Sequence, residues 1–287
     1  MARIVLGNRD GPLALAQART AVSELAGEWP DVHLVQRTIP ASGSNGDFPA
    51  LFAALEKGSI NIALVGLERL PNTLPEGLRL AAVTKRLEPR SALVAKGRRS
   101  LSGLTGDAVV GVPAERDRAF LVSAGHQFGI ELLSGTIDRD LGLLAAGELD
   151  ALLVPSSTLI ALDRRDRMTV LLDPETFVPA VGQGSLGLLV REDDDMSFEI
   201  AYTLQHRPSF DRVAAERSFQ QALQQEGLAV GALASVAGDG EFTLLGAVAS
   251  ANGPVLQGTV NGEAREAEEL GRELAQDVLE QLKSLQP

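Results

Sequence analysis

Apolar residues fall along this chain in short runs broken by polar turns, and the spacing within each run separates strands from helices. RIVLG (3–7) reads as a buried strand, and after NRDG the apolar positions of PLALAQARTAVSELAGEW recur at helical spacing. Pro12, directly behind Asp10-Gly11, is a favourable first helical residue. AVVGV (108–112) followed by PAERDRAFLVSAGHQF repeats this strand, loop and helix unit. A finer repeat sets LFAALEKGSINIALV (51–65) against DLGLLAAGELDALLV (140–154). Each runs as a helix, a glycine (Gly58, Gly147), an apolar residue, an Asn or Asp (Asn61, Asp150) and a strand ending in Val. The inference is an α/β protein with two lobes of similar build.

KRLEPR (85–90) is polar and separates strand-like LRLAAVT from strand-like SALVAK, so it reads as a first crossing between lobes. FVPAVGQGSLGLLVR (177–191) is again strand-like and would carry the chain back. The pattern predicts a first lobe over 1–85 and 185–203, a second over 90–177, and crossings near 85–90 and 178–184. Within the return crossing, Gly182-Gln183-Gly184 is out of place in a plain core strand, because glycine weakens strands and a buried amide needs partners. A bend, and with it a hinge beneath a ligand cleft, is the expectation. REDDD (191–195) reads as a solvated loop, with a divalent-ion site as the alternative. From 207 to 287 a helix, three strand-like runs (LAVGALASV, EFTLLGAVAS, PVLQGTV) and a closing helix predict a small α+β domain.

Composition narrows the chemistry. The 287 residues include no cysteine, which excludes disulfides, thiolate metal sites, thiol nucleophiles and sulfur-linked cofactors. His33, His126 and His206 are far apart and show no metal-ligand spacing, so no metal is expected. A formal net charge of -12 opposes nucleic acid and anionic membrane as partners. MARIVLGNRD enters a strand at once and no apolar run reaches the roughly 20 residues of a membrane span, which gives a cytoplasmic, monomeric protein as the expectation. An anionic ligand would need a local group of arginines.

Four motifs, in order, carry a family resemblance. GNRDGPLALAQA (7–18) resembles the G-T-R-x-S-x-L-A-x-x-Q opening of the porphobilinogen deaminase (hydroxymethylbilane synthase) family, and RLEPRSALV (86–94) resembles its R-x-D-P-R-D-A-L-V. PAVGQGSLGLLVR (179–191) and AAERSF (214–219) are similar to its P-A-x-G-Q-G-A-L-x-I-x-x-R and A-E-R-A-F. The resemblance implies three domains: two lobes built like periplasmic binding proteins around a cleft, and a C-terminal α+β domain. It also implies a transferase of tetrapyrrole and heme biosynthesis that joins four porphobilinogen units on a cysteine-linked dipyrromethane primer.

The motifs also depart from the family. Where a G-G-C-x-x-P-x-G turn should hold the primer, this chain has LQQEGLAVGALA (223–234), so no cofactor is expected. Where H-S-x-K-D-x-P should supply the catalytic Asp, VGLERLP (65–71) places Arg69, with Glu68 in place of the Lys, and a guanidinium cannot accept a proton. GVPAERD (111–117) keeps Arg116 but has Asp117 at the second arginine of G-T-S-S-x-R-R, and SGTIDRD (134–140) has Ser134 and Asp140 at the two arginines of R-G-N-x-x-T-R. The remaining candidate ligand contacts are Arg9, Arg86, Arg90, Arg116, Gly182, Gln183 and Gly184, facing porphobilinogen or a related carboxylate. Three functions stay open: a transferase with an altered mechanism, a non-catalytic relative binding a small anion, and a partner protein for a pathway enzyme.

Overall fold

The computed structural model describes residues 2–40, 48–97, 100–223, 227–238, 240–249 and 254–284. In chain order the elements begin with β1 (Ala2–Arg9), α1 (Pro12–Glu28), β2 (Val32–Ile39), α2 (Phe48–Glu56), β3 (Ile62–Gly66) and β4 (Leu78–Val83). There follow β5 (Ser91–Ala95), β6 (Val109–Val112), α3 (Glu115–Ser123), β7 (Gly129–Leu132), α4 (Ile137–Ala146), β8 (Ala151–Pro155), α5 (Ser156–Ala161) and β9 (Val170–Leu171). The rest comprises β10 (Leu186–Arg191), α6 (Asp195–Tyr202), α7 (Arg207–Leu223), β11 (Ala229–Val236), β12 (Phe242–Ala249), β13 (Leu256–Gly262) and α8 (Ala267–Ser284).

The described strands form two five-stranded sheets, β2-β1-β3-β10-β4 and β7-β6-β8-β5-β9, and a three-stranded sheet β11-β12-β13. This is the mixed α/β class that the hydrophobic pattern implied, with a small C-terminal sheet domain. Two compact units divide the chain: residues 1–87 with 184–210, and residues 88–183 with 211–287.

In the first unit β1 lies parallel to β2 and β3, while β10 runs antiparallel between β3 and β4. Ile62, Ala63, Leu64 and Val65 are all buried, as expected for a strand covered on both faces. Ala18, Ala21 and Leu25 form the buried stripe of α1 and pack with Ile4, Leu6, Ile62 and Leu64. The second unit contains two cores around its five-stranded sheet and a third between α7, α8 and the C-terminal sheet, centred on Phe219, Phe242 and Leu274.

The repeat seen in sequence has a hydrogen-bonded counterpart in each unit. Asn61 accepts from the Val5 backbone N–H through Oδ1 at 3.0 Å and donates its own N–H to the Val5 carbonyl at 2.8 Å. Asp150 does the same to Val109, at 2.9 Å through Oδ2 and 2.8 Å through its backbone. The following strands then pair in matching register, Leu6 with Ile62 and Val110 with Ala151. A short polar residue before β3 and before β8 thus pins the neighbouring parallel strand, β1 and β6 respectively.

Two expectations about local structure are refined. In the stretch 177–191 the expected bend at the glycines is present, and strand is confined to β10 from Leu186. Gln183 N–H closes a turn onto the Ala180 carbonyl at 3.0 Å, with Gly182 at φ 72° and Gly184 at φ 85°, conformations that side chains with a Cβ rarely adopt. REDDD is also more than a solvated loop. Asp194 caps α6 by accepting from Ser197 N–H at 3.0 Å and pairs with Arg191 at 2.7 Å. Among the described residues no His, Cys, Asp and Glu group that could hold a metal occurs, and no helix is long and apolar enough to cross a membrane.

Candidate functional site: an arginine cluster at the strand ends of the first unit

The order β2-β1-β3 reverses direction at β1, and α/β sheets offer a crevice outside the carboxyl ends of strands at such a reversal. Arg9 is the last residue of β1, just ahead of α1. β3 runs straight into a tight 3-10 turn, Leu67–Arg69, that carries Glu68 and Arg69. Since β10 is antiparallel to both β3 and β4, β4 ends at the same edge, with Arg86 three residues beyond Val83. Arg86 is positioned through its backbone N–H, which donates to Ser209 Oγ at 2.9 Å, and Ser209 Oγ lies 2.8 Å from His206 Nδ1.

Electrostatics tie these residues into one cluster. Burial pushes the Glu68 carboxyl above its ordinary value, while its own backbone N–H and the charges of Arg69, Arg86 and Arg9 pull it down. Burial also lowers Arg9, the nearby Arg69 adds to that, and Glu68 opposes both. The Arg9 guanidinium lies 6.0 Å from the centre of the Phe48 ring. The charges of three guanidinium groups act on one carboxylate, so positive charge outnumbers negative among these four residues in a chain of net charge -12.

The remaining candidates lie in the second unit, apart from Gly184. Arg90 makes a two-pronged pair with Glu88, 2.8 Å from each carboxylate oxygen. Arg116 donates to the Val230 carbonyl at 2.8 Å, to the Val178 carbonyl, and to Asp117 at 2.7 Å, and lies over Phe120 at 4.5 Å. Burial presses Arg116 below its ordinary value, and Asp117 pulls it back. The Gln183 amide is buried and donates to the Pro89 carbonyl at 2.6 Å and Ser91 Oγ at 3.2 Å, while Oε1 accepts from Ala180 N–H at 3.4 Å. The structure therefore puts Arg9 and Arg86 within electrostatic reach of Glu68 and places Arg90, Arg116 and Gln183 against the partners just named.

Two residues had no assigned role in the sequence. Glu68 is the carboxylate of the arginine cluster, and a Glu in the first turn after a buried strand was the available sign. Glu216, inside the quoted AAERSF motif, is fully buried and accepts from Gly182 N–H at 2.7 Å and from Ala234 N–H at 2.8 Å. It joins the glycine turn to β11, and only the fold brings those segments to one carboxylate.

Comparison with known proteins decides the kinship. Residues 4–199 match the family profile "Porphobilinogen deaminase, dipyromethane cofactor binding domain". The chain belongs to the porphobilinogen deaminase family. It is 40% identical over 288 residues to a porphobilinogen deaminase of Thermus thermophilus, covering 97% of this chain and 96% of that one. A porphobilinogen deaminase of Deinococcus radiodurans is 34% identical over 297 residues, covering 98% and 96%. The expectation of no cofactor is corrected by the first of these matches, since the matched domain is named for binding dipyrromethane. A thioether to cysteine is unavailable in a sequence without sulfur nucleophiles, and residues 224–226 of the stretch 223–234 lie outside the described residues.

Proposed function

We propose that this protein has a porphobilinogen deaminase-like function in tetrapyrrole biosynthesis, recognising porphobilinogen and short pyrrole chains by their carboxylates. The observation that carries the reading is the convergence of Arg9, Arg69 and Arg86 at a sheet reversal, inside the segment that matches the family's dipyrromethane-binding domain. Guanidinium groups present paired N–H donors that match carboxylate geometry, and partial burial strengthens each contact. Arg9, Arg69 and Arg86 would hold the acidic side chains of dipyrromethane. When bound, that group supplies a free pyrrole carbon at which the chain can be extended.

The chain's own residues bind and orient. A guanidinium offers only donors, so the part of Arg69 is to hold carboxylate, and the Arg86 backbone is held by Ser209. A thermal-shift series tests the reading. Porphobilinogen raises the midpoint in proportion to occupancy, by about 2.7 kcal/mol of stabilisation at a hundredfold excess over Kd. Its dimethyl ester, which has no charged carboxylate, leaves the midpoint unchanged. Equal shifts with acid and ester, or none with either, would overturn the assignment.

A further inference from the structure

We infer that residues 177–182 form a strap that fastens the C-terminal sheet to the second lobe, and that Arg116 and Glu216 are the side chains that hold it. All the residues involved belong to the second unit. The segment lies along β11, the outer strand of the three-stranded sheet, and takes one ladder-like hydrogen bond there, from Ala232 N–H to the Pro179 carbonyl at 3.0 Å. Pro179 has no N–H to offer in return, which suits a segment at a sheet edge. On either side of that bond a charged side chain bridges strap and strand. Arg116 of α3 donates to the Val178 carbonyl of the strap and to the Val230 carbonyl of β11, the latter at 2.8 Å. Glu216 of α7 accepts from Gly182 N–H of the strap at 2.7 Å and from Ala234 N–H of β11 at 2.8 Å.

The strap's own side chains divide between two cores. Phe177 and Val178 are buried with Leu93, Val110 and Phe120 of the second lobe, in a cluster that also takes in Ala247 and Ala249 of β12. Val181 is buried with Phe219, Phe242 and Leu274 of the C-terminal core. The Arg116 guanidinium lies 4.5 Å from the ring centre of Phe120 and 5.5 Å from that of Phe177, so this fastening is packed as well as hydrogen-bonded. β11 approaches this closely because residue 231 is glycine. A Cβ there would lie 3.0 Å from the Pro179 carbonyl oxygen and 3.1 Å from that of Val178. The C-terminal sheet cannot leave the strap without breaking hydrogen bonds to two charged groups, which are stronger than neutral ones, so sheet and lobe open as one body. On this reading Arg116 fastens the strap instead of meeting a ligand.

Hydrogen exchange of the full chain across a urea series tests this, read by mass spectrometry on β5 and β8 of the lobe and on β11 and β12 of the C-terminal sheet. In wild type the two regions are expected to open at one urea midpoint. Gly231→Ala pushes a Cβ against the strap, and Arg116→Lys keeps the charge but replaces the guanidinium fork by a single nitrogen. Each should lower the midpoint of the C-terminal strands by about 1 M relative to the lobe. Glu216→Gln, which retains one acceptor oxygen for two N–H groups, should separate the midpoints in the same direction. Midpoints already separate in wild type would overturn the proposal whether or not any variant folds. So would midpoints that stay coincident in folded Arg116→Lys and Gly231→Ala.

Discussion

Gln183 shows how a residue's surroundings set what it does. Its amide is buried against the Pro89 carbonyl and Ser91 Oγ, between two glycines whose positive φ makes the turn. The sequence marked this position as unusual, because an amide flanked by glycines does not suit a core strand. It did not reveal the partners, which lie about ninety residues earlier in the chain. Replacing Gln183 by Ala leaves the Pro89 carbonyl with a lost donor and is expected to cost about 1–3 kcal/mol, read as a lower urea midpoint at unchanged slope. A Gln183→Ala protein as stable as wild type would show that water takes over the amide's role. Glu68 was harder to read still. Its place depends on the backbone turning sharply after β3 and on the space above Gly66, neither of which a hydrophobic pattern reports.

At the scale of elements, the pattern was informative wherever period and punctuation agreed. The apolar runs of β1, β3, β6 and β8 announced strands, and the paired Asn61 and Asp150 announced the common build of the two sheets. In the return crossing the glycines announced the bend that the structure has, while the apolar residues on either side hid that strand pairing begins only at Leu186. The start of α6 carries its own test. Burial alone would raise the Asp194 carboxyl, but hydrogen bonds from Ser197 and Asn61 and the charge of Arg191 outweigh it and hold the group below its ordinary value. A depressed folded value means that the carboxylate's contribution is complete above the unfolded value, near 4, and is lost as pH falls through the folded one. Asp194→Asn keeps a capping oxygen but no charge. Wild type should therefore be the more stable by a constant margin from about pH 7 to pH 5, with the margin closing below about pH 4. A margin independent of pH in urea unfolding would assign the effect to capping geometry instead of charge.

For the molecule as a whole, the family and the mixed α/β fold followed from motif order and hydrophobic spacing; the profile and relatives agree with the first and the sheets with the second. The distribution of charge needed the structure. Five arginines stand at or near the family's motif positions: in the second unit Arg90 and Arg116 pair with Glu88 and Asp117, and in the first unit the charges of Arg9, Arg69 and Arg86 all act on Glu68. On the proposed function, a carboxylate ligand would be held in the first unit. The most direct test is calorimetric titration of porphobilinogen into wild type and the Arg9→Ala/Arg86→Ala double variant. Each charge-assisted contact is worth about 1.5–3 kcal/mol, so the double variant should bind at least about a hundredfold more weakly while its thermal midpoint stays close to wild type. Equal porphobilinogen affinity in the two proteins would contradict the account, because the cations identified here would then play no part in recognition.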